Sequence, residues 1–414
     1  MAPPRLEVFV ASAPGLEEIT AREIRTLGWT PGDVEPGGVS LAVDAAALPI
    51  LNRQLRTASR VLVRIAGFRA SGLAELERKA SSIPWADVLG RYLPESPEDI
   101  RFEITSRKSR LYHTGAIEER LRRSLQGWAG DRRLPPWPAH VPGPRFVVRL
   151  LRDRVTISAD ASGEPLHRRG YRQAVAKAPL RETLAAALIL ASEWDATSPL
   201  FDPFCGSGTL VIEAALLAGG IPPGLHRRFS FEGWPGFGGA SGVEGGGGLD
   251  GDLGLETRVD TEGARPGAGL RDAGFPDPFA AEVSHRELSL TGSDRDAGAV
   301  EAARANARRA GVADLTRFHR AALSAAPFPP LLEGRGLLVT NPPYGRRVGD
   351  PERLRNLYGR LGTLLRERWS AGRVVLLSPD PALTGQLGLA TRTLFRTRNG
   401  GVPVEAVAAD VPSS

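Results

Sequence analysis

Apolar and polar positions alternate along residues 6–12, LEVFVAS, and then take up helical spacing through GLEEITAREIRTLG, which closes at Gly28. Alternation returns in VSLAVD (39–44) and ASRVLVRIAGF (58–68), so the first part of the chain predicts strands around one helix. This βαβ-like order suits a small ferredoxin-like α+β module. Farther on, short apolar runs end in a polar residue and lead into turns. LFDPFCGSGTLVIE (200–213) predicts a strand to Asp202, a Gly-x-Gly turn and a helix running through Ala214, Ala215, Leu216 and Leu217. LSLTGSD (288–294) predicts a second strand, followed by helical periodicity from Asp296 to Ala310 that Gly311 closes. GLLVTNPPYGRR (336–347) predicts a third, buried strand that stops at Asn341. The chain finishes with ATRTLFRTRNGGVPVEAVAADV (390–411), two alternating strands about the Asn399-Gly400 turn, a hairpin signal.

The turns after these strands carry the candidate chemistry. Asn341, Pro342, Pro343 and Tyr344 form a turn with few backbone donors, because proline has none. The exocyclic amine of adenine or guanine is a poor nucleophile, its lone pair being delocalised into the ring. The Asn341 side-chain oxygen and the Pro342 carbonyl can accept the two amine hydrogens, localise that pair and aim it at an electrophilic methyl group. The Tyr344 ring offers an extruded base a surface for stacking. Asn-Pro after a strand is also an ordinary turn, so the tetrapeptide gains its weight from its neighbours. In the 200–213 segment, Gly206 and Gly208 let backbone approach a ligand, and a helix starting at Thr209 offers free amide donors. Dinucleotide sites share that logic, yet the GxGxxG spacing is absent and Asp202 lies upstream. A carboxylate repels a pyrophosphate and accepts an ammonium group, which fits the amino-acid end of S-adenosylmethionine. A carboxylate ending strand 288–294 can accept both hydroxyls of a ribose. Asp294 is the preferred residue, while Asp296 is either a second contact or the cap of the following helix.

Length and composition set wider bounds. A chain of 414 residues suits two or three domains. It has no apolar run of the ~18 residues a membrane span requires, and MAPPRLEVFV lacks the pattern of a signal peptide. A soluble cytoplasmic protein without a membrane partner is expected. Cys205 is the single cysteine, so neither an internal disulfide nor a cysteine-cluster zinc site can form; its place in a tight loop reads as small and buried rather than nucleophilic. Six histidines lie without ligand spacing, and no metal is expected.

The net charge of +6 is unevenly distributed. Residues 1–100 carry 11 Lys+Arg against 13 Asp+Glu, a net of −2; residues 101–180 carry 17 against 7, a net of +10; the remainder carries 25 against 27, a net of −2. Within the basic segment, SRKSRLYHT (106–114), RLRR (120–123) and HRRGYR (167–172) interleave Arg107, Lys108, Arg110, Arg168, Arg169 and Arg172 with Tyr112, His113 and Tyr171. Cations meet phosphates and rings stack on bases, which points to nucleic acid, although a solvated face is the commoner origin of a charge run. GDRRLPPWPAHVPGP (130–144) reads as a loop with Trp137 its largest apolar residue. Residues 233–274, glycine-rich and mildly acidic, read as a flexible insertion.

In this order, DPFCGSGTLVIEAA, GSDRDAGAVEAARANARRAGV and LVTNPPYGRR resemble the THUMP-associated class I methyltransferases that modify the exocyclic amine of guanine in RNA. The likeness continues in HRRGYRQ (167–173), KAPLRETLAAAL (177–188) and LYGRLG (357–362), covers most of residues 146–408, and is nearest to the enzymes of bacterial large-subunit (23S) ribosomal RNA. SRLYHTGAIEERL (109–121) is similar to the THUMP RNA-binding domain. The resemblance implies an α/β fold: a class I, Rossmann-like methyltransferase domain (166–414) finished by a C-terminal antiparallel hairpin and preceded by an α+β ferredoxin-like module (1–65) and a THUMP region (66–165). It implies S-adenosyl-L-methionine as cofactor and RNA as partner, with Asp202, Cys205, Gly206 and Gly208 in the methionine-binding loop beside Thr209, Asp294 on the ribose, and Asn341, Pro342, Pro343 and Tyr344 as the catalytic turn. One position departs from the pattern. Where members often carry an Asp for the adenine amino group, FHRAALSAA places an alanine, Ala322, and losing one hydrogen bond weakens the cofactor by about 0.5–1.5 kcal/mol. A tRNA guanine substrate, adenine-N6 methylation and a non-catalytic RNA-binding assembly factor stay open as alternatives; oligomeric state is also open, with a monomer the default.

Overall fold

The computed structural model describes residues 5–85, 100–126, 141–173, 180–234, 237, 288–344 and 351–413. Its strands form two seven-stranded sheets. In the first, β1 (Leu6–Ser12) pairs antiparallel with both β3 (Gly38–Val43) and β4 (Ala58–Arg69), and β2 (Val34–Glu35) extends the β3 edge. From β4 the sheet continues to β7 (Arg154–Asp160), β6 (Arg145–Leu151) and β5 (Arg101–Arg107), and only the β5–β6 pair is parallel. The boundary expected at 65/66 falls inside β4, which pairs with β1 on one edge and with β7 on the other. The ferredoxin-like portion and the basic portion thus share one sheet.

Alternation decides which side of this sheet is covered. Val61 and Val63 of β4, Phe146, Val148 and Leu150 of β6, and Val155 and Ile157 of β7 are buried on one face. Helices Glu17–Thr26, Ala47–Gln54, Leu73–Ser81 and Thr114–Gln126 cover that face, contributing Ile24, Leu48, Leu51, Leu76, Ile117 and Leu121 to the same core.

The second sheet runs β10-β9-β8-β11-β12-β14-β13. β10 (Thr316–Arg320), β9 (Leu290–Asp294), β8 (Leu200–Asp202), β11 (Leu337–Thr340) and β12 (Arg373–Ser378) are parallel, while β14 (Val402–Asp410) and β13 (Arg392–Asn399) complete the edge antiparallel, as the terminal hairpin signal predicts. β8, β11 and nearly all of β9 and β12 are buried, the condition of a parallel sheet with both faces covered. Strand order reverses at β8, with β9 following on one side and β11 on the other. The turns after β8, β9 and β11 therefore open at the carboxyl edge of the sheet, where open α/β folds bind ligands.

The two halves are joined through shared cores. Leu16 and Ile19, just after β1, belong to the core of the second sheet. Gly15 makes that corner with φ +88°, and a Cβ there would lie 1.7 Å from the Arg396 carbonyl oxygen. In the other direction Phe229, Phe231 and Trp234 are buried in the N-terminal core, and Phe231 N donates to the Ala161 carbonyl at 3.0 Å. The Arg56 guanidinium donates across the boundary to the carbonyls of Leu216 and Ile221. This corrects the expectation of a flexible insertion from residue 233. Trp234 is 2 % exposed and Phe237 packs against the same core, so the segment begins anchored; residues 238–274 and Trp137 lie outside the described residues.

Gly15→Ala is expected to lower the thermal midpoint, because an overpacked contact typically costs about 1–3 kcal/mol and the positive φ adds strain. An unchanged midpoint by differential scanning calorimetry would show that this corner does not hold the halves together.

Candidate functional site

Asp202 ends β8 and is 2 % exposed. Its Oδ1 accepts from Thr340 Oγ1 at 2.6 Å and from Phe204 N at 3.0 Å. Thr340 is the last residue of β11, so one side-chain bond ties together the two strand ends from which the glycine turn and the Asn341 turn leave. Burial pushes the Asp202 carboxyl up to about 7; the Thr340 and Phe204 bonds oppose the rise, and the neighbouring Asp294 charge adds to it. Such a carboxyl ionises readily when a cation arrives. Thr340 is absent from the sequence expectations, where its only signal was its place before Asn341.

The two glycines of the turn do different work. Gly206 and Gly208 have φ of +52° and +84°. A Cβ at Gly208 would lie 2.9 Å from Ala303 Cβ and 3.0 Å from the Phe318 ring, whereas one at Gly206 would meet nothing within 4 Å. Gly208 is packed inside, and Gly206 faces open space where a ligand can approach backbone. Cys205 N donates to the Ser293 carbonyl at 3.0 Å, and Asn306 Nδ2 donates to the Ser207 carbonyl at 3.0 Å, which fastens the turn to β9 and the following helix. Burial, with Asp202 and Asp294 nearby, pushes the Cys205 thiol well above its ordinary value, so it stays protonated and unreactive. Thr209 opens helix Thr209–Ala218, every residue of which is buried.

Asp294 ends β9 half-buried. Its Oδ2 accepts from Gly206 N at 3.0 Å and its Oδ1 from Asp296 N at 2.9 Å. Each oxygen thereby takes one amide, and a carboxylate has further lone pairs for hydroxyl donors. Asp296 takes the capping role, its Oδ1 accepting from Ala299 N at 2.8 Å at the start of helix Ala297–Arg309. Ala322 is exposed just after β10, beside Ala321, whose N donates to the Asp294 carbonyl at 2.9 Å.

In the turn after β11, Asn341 is half-buried and Pro342 buried. Asn341 Oδ1 is itself buried and has no hydrogen-bond partner among the described residues. An amide oxygen held this way costs about 1–3 kcal/mol, a cost that a ligand's N–H removes. Tyr344 is also half-buried, against the core of the second sheet, and its hydroxyl accepts from Asn399 Nδ2 at 2.6 Å. Burial raises the Tyr344 hydroxyl above its ordinary value and the Asn399 bond opposes this; the group is neutral. Asn399 ends β13, and the sequence marks it only as part of a hairpin turn. Residues 345–347 lie outside the described residues.

The basic segment divides into two groups. Arg107, Lys108, Arg110, Tyr112 and His113 are exposed at the end of β5; Tyr112 is 68 % exposed, with its ring centroid 4.1 Å from that of His113. Arg168 is exposed and paired with Glu164 at 2.6 Å. Arg169 and Tyr171, expected on an RNA surface, are instead buried at 5 % and 4 % exposure. Tyr171 Oη donates to Glu213 Oε1 at 3.0 Å, the Arg169 Nε lies 3.6 Å from the same carboxylate, and Arg172 pairs with Glu182 at 2.9 Å. A buried guanidinium needs an acid and carbonyls around it, and Arg169 has both, donating also to the carbonyls of Leu166 and Arg56. These residues fasten the segment to helices Glu182–Ala191 and Thr209–Ala218. Among the described residues no cluster of histidine, cysteine and carboxylate groups is placed to hold a metal ion, and no helix is long and apolar enough to cross a membrane.

Residues 169–405 match the family described as UPF0020, RMKL-like, methyltransferase domain, and residues 7–62 match the RlmL ferredoxin-like domain. The chain is 32% identical to the Ribosomal RNA large subunit methyltransferase K/L of Syntrophotalea carbinolica over 97% of its own length, but spans only 53%, about half, of that protein. It is also 32% identical to Putative RNA methyltransferase slr0064 of Synechocystis, covering 95% of this chain and 94% of that one. The crystal structure of SMU.472, a putative methyltransferase complexed with SAH, matches with a TM-score of 0.77 and 27% identity, covering 99% of each chain.

The raised Asp202 carboxyl predicts a pH effect in two directions. Its folded value of about 7 exceeds the ordinary 3.8, so the folded state holds the proton more tightly and the unliganded protein loses stability as pH rises between those values. Affinity for the cationic cofactor should instead rise from about pH 6 to about pH 8, as the carboxyl ionises. Calorimetric titration with S-adenosylmethionine checks this; an equally steep dependence in Asp202→Asn would assign it to another group.

Proposed function

The chain belongs to the UPF0020 family of RMKL-like methyltransferases, and we propose that it methylates the exocyclic N2 amine of a guanine in RNA, with 23S ribosomal RNA as the substrate. S-adenosyl-L-methionine is the cofactor, and when bound it supplies an electrophilic methyl group on a sulfonium centre. The residues at the carboxyl edge of the second sheet fit it: an acidic group ready to ionise at Asp202, open space over the Gly206 backbone, and acceptor capacity at Asp294.

The observation that carries the reading is the unpartnered, buried Asn341 Oδ1. A planar amine has two hydrogens, and two acceptors adjacent in the chain, Asn341 Oδ1 and the Pro342 carbonyl, would take both and turn the nitrogen lone pair out of the ring's conjugation. Tyr344, braced by Asn399, presents a fixed ring against the base. Positive charge develops on the nitrogen only as the new bond forms, so the amine needs no strong base beforehand and releases its proton to solvent afterwards. Most of the acceleration then comes from positioning and fixed dipoles. The ribosomal assignment is supported by the K/L relative and by the exposed Arg107, Lys108, Arg110, Tyr112 and His113, which suit phosphates and bases. An adenine amine satisfies the same two acceptors, and product analysis separates the two.

Asn341→Ala is expected to lower kcat by about 10²–10³, with cofactor and RNA binding retained. Asn399→Ala should lower kcat by about 10-fold or more by loosening Tyr344, with cofactor affinity unchanged. Both are read by labelled methyl transfer to 23S ribosomal RNA followed by nucleoside mass spectrometry. N2-methylguanosine supports the proposal, N6-methyladenosine transfers it to the other base, and full activity in Asn341→Ala removes that side chain from the mechanism.

A further inference from the structure

The face of the N-terminal sheet that lies opposite its helices carries arginines in register. Strand pairing sets Arg107, Leu151, Arg154 and Arg69 in one row, Thr105, Arg149, Thr156 and Gly67 in the next, and Glu103, Val147, Ser158 and Arg64 in a third. These side chains lie on the face opposite the helices, where Ser158 is covered and Arg107, Arg154 and Arg69 are exposed. The β2–β3 turn leans over them. Glu35 Oε1 lies 3.4 Å from Arg64 Nη2, and a Cβ at Gly37 would lie 3.7 Å from Arg149 Nη1. The sheet and the turn thus form the two sides of a groove.

Charge in this groove is out of balance. Glu103 is 3.1 Å from Arg145, and Asp160 pairs with Arg60, so these acids are engaged toward the other end of the face. Arg149 and Arg154 have no ion-pair partner among the described residues. Both lie near enough to Arg64 that, after burial, their charges help hold its guanidinium below the ordinary value, with Glu35 the opposing acid. Three cations therefore converge beside one carboxylate, a setting that a phosphate satisfies through paired N–H donors.

The geometry points to a phosphate groove: a phosphodiester of the RNA substrate sits between Arg149 and Arg154, beneath the β2–β3 turn. This rests on the RNA reading above and extends it to a surface outside the 107–113 loop. Arg107 ends the first arginine row and begins the loop that carries the exposed Tyr112 and His113 rings. Contact here is to backbone rather than to bases, because the ring on this face, Phe9, is 4 % exposed with the Arg64 guanidinium 4.1 Å above it. The groove positions the strand without reading its sequence.

The test is a filter-binding titration of the full chain with transcribed 23S ribosomal RNA across a salt series. Arg149→Ala with Arg154→Ala is expected to weaken binding and to flatten the slope of log affinity against log salt by about one to two, with the melting temperature and S-adenosylmethionine affinity unchanged. Arg149→Lys should restore part of the slope. Arg335→Ala, at the amino end of β11 and paired with Asp195, should change nothing; a slope flattened equally by that variant would overturn the groove, as would unaltered affinity and slope in the double variant. Failure of the unsubstituted protein to bind RNA at any salt would instead overturn the RNA reading itself.

Discussion

One hydrogen bond, from Thr340 Oγ1 to Asp202 Oδ1, fixes the end of β11 against the end of β8. The glycine turn and the Asn341 turn leave the sheet from these two points, so their separation is set inside the core, at a bond buried beneath both turns. β9 is stitched to the same place by Cys205 N on Ser293 and Gly206 N on Asp294. Three strand ends become one rigid edge. The arrangement matters because methyl transfer is in line and short-ranged, and a misplacement of about 1 Å can cost 10²-fold. The same bond holds an acidic group in a buried place where ionisation is unfavourable without a cation, which couples the charge state of the site to its occupancy.

Much of the catalytic half was legible because its signals are local. A parallel strand that is buried on both faces is a continuous apolar run, and its end is marked where polarity returns, as at Asp202, Asp294 and Asn341. Gly206 and Gly208 announced their turn because other residues adopt positive φ only with strain. The hairpin about Asn399 and Gly400 was equally local and formed as expected.

What escaped depended on partners distant in sequence. HRRGYR reads as a basic, aromatic surface run, and nothing in it reveals that Glu213, 42 residues beyond Tyr171, waits to receive that tyrosine and Arg169. Thr340 gains its role from Asp202, 138 residues earlier, and Asn399 from Tyr344, 55 residues earlier. Composition misled in the other direction at Trp234 and Phe237. A few aromatic residues in glycine-rich surroundings look unanchored until an apolar surface from another part of the chain is brought to them.

The exchange of side chains between the two cores has a consequence for descent. Leu16 and Ile19 complete the interior of the catalytic sheet, and Phe229, Phe231 and Trp234 complete that of the N-terminal one. Each half is therefore missing pieces that the other supplies, although a linear reading divides them cleanly. Exchange of either half by recombination would yield a chimaera with two mismatched interiors unless both intruding segments travelled with their hosts. The pair should be inherited as one unit, with drift in either core answered by compensating change in the other.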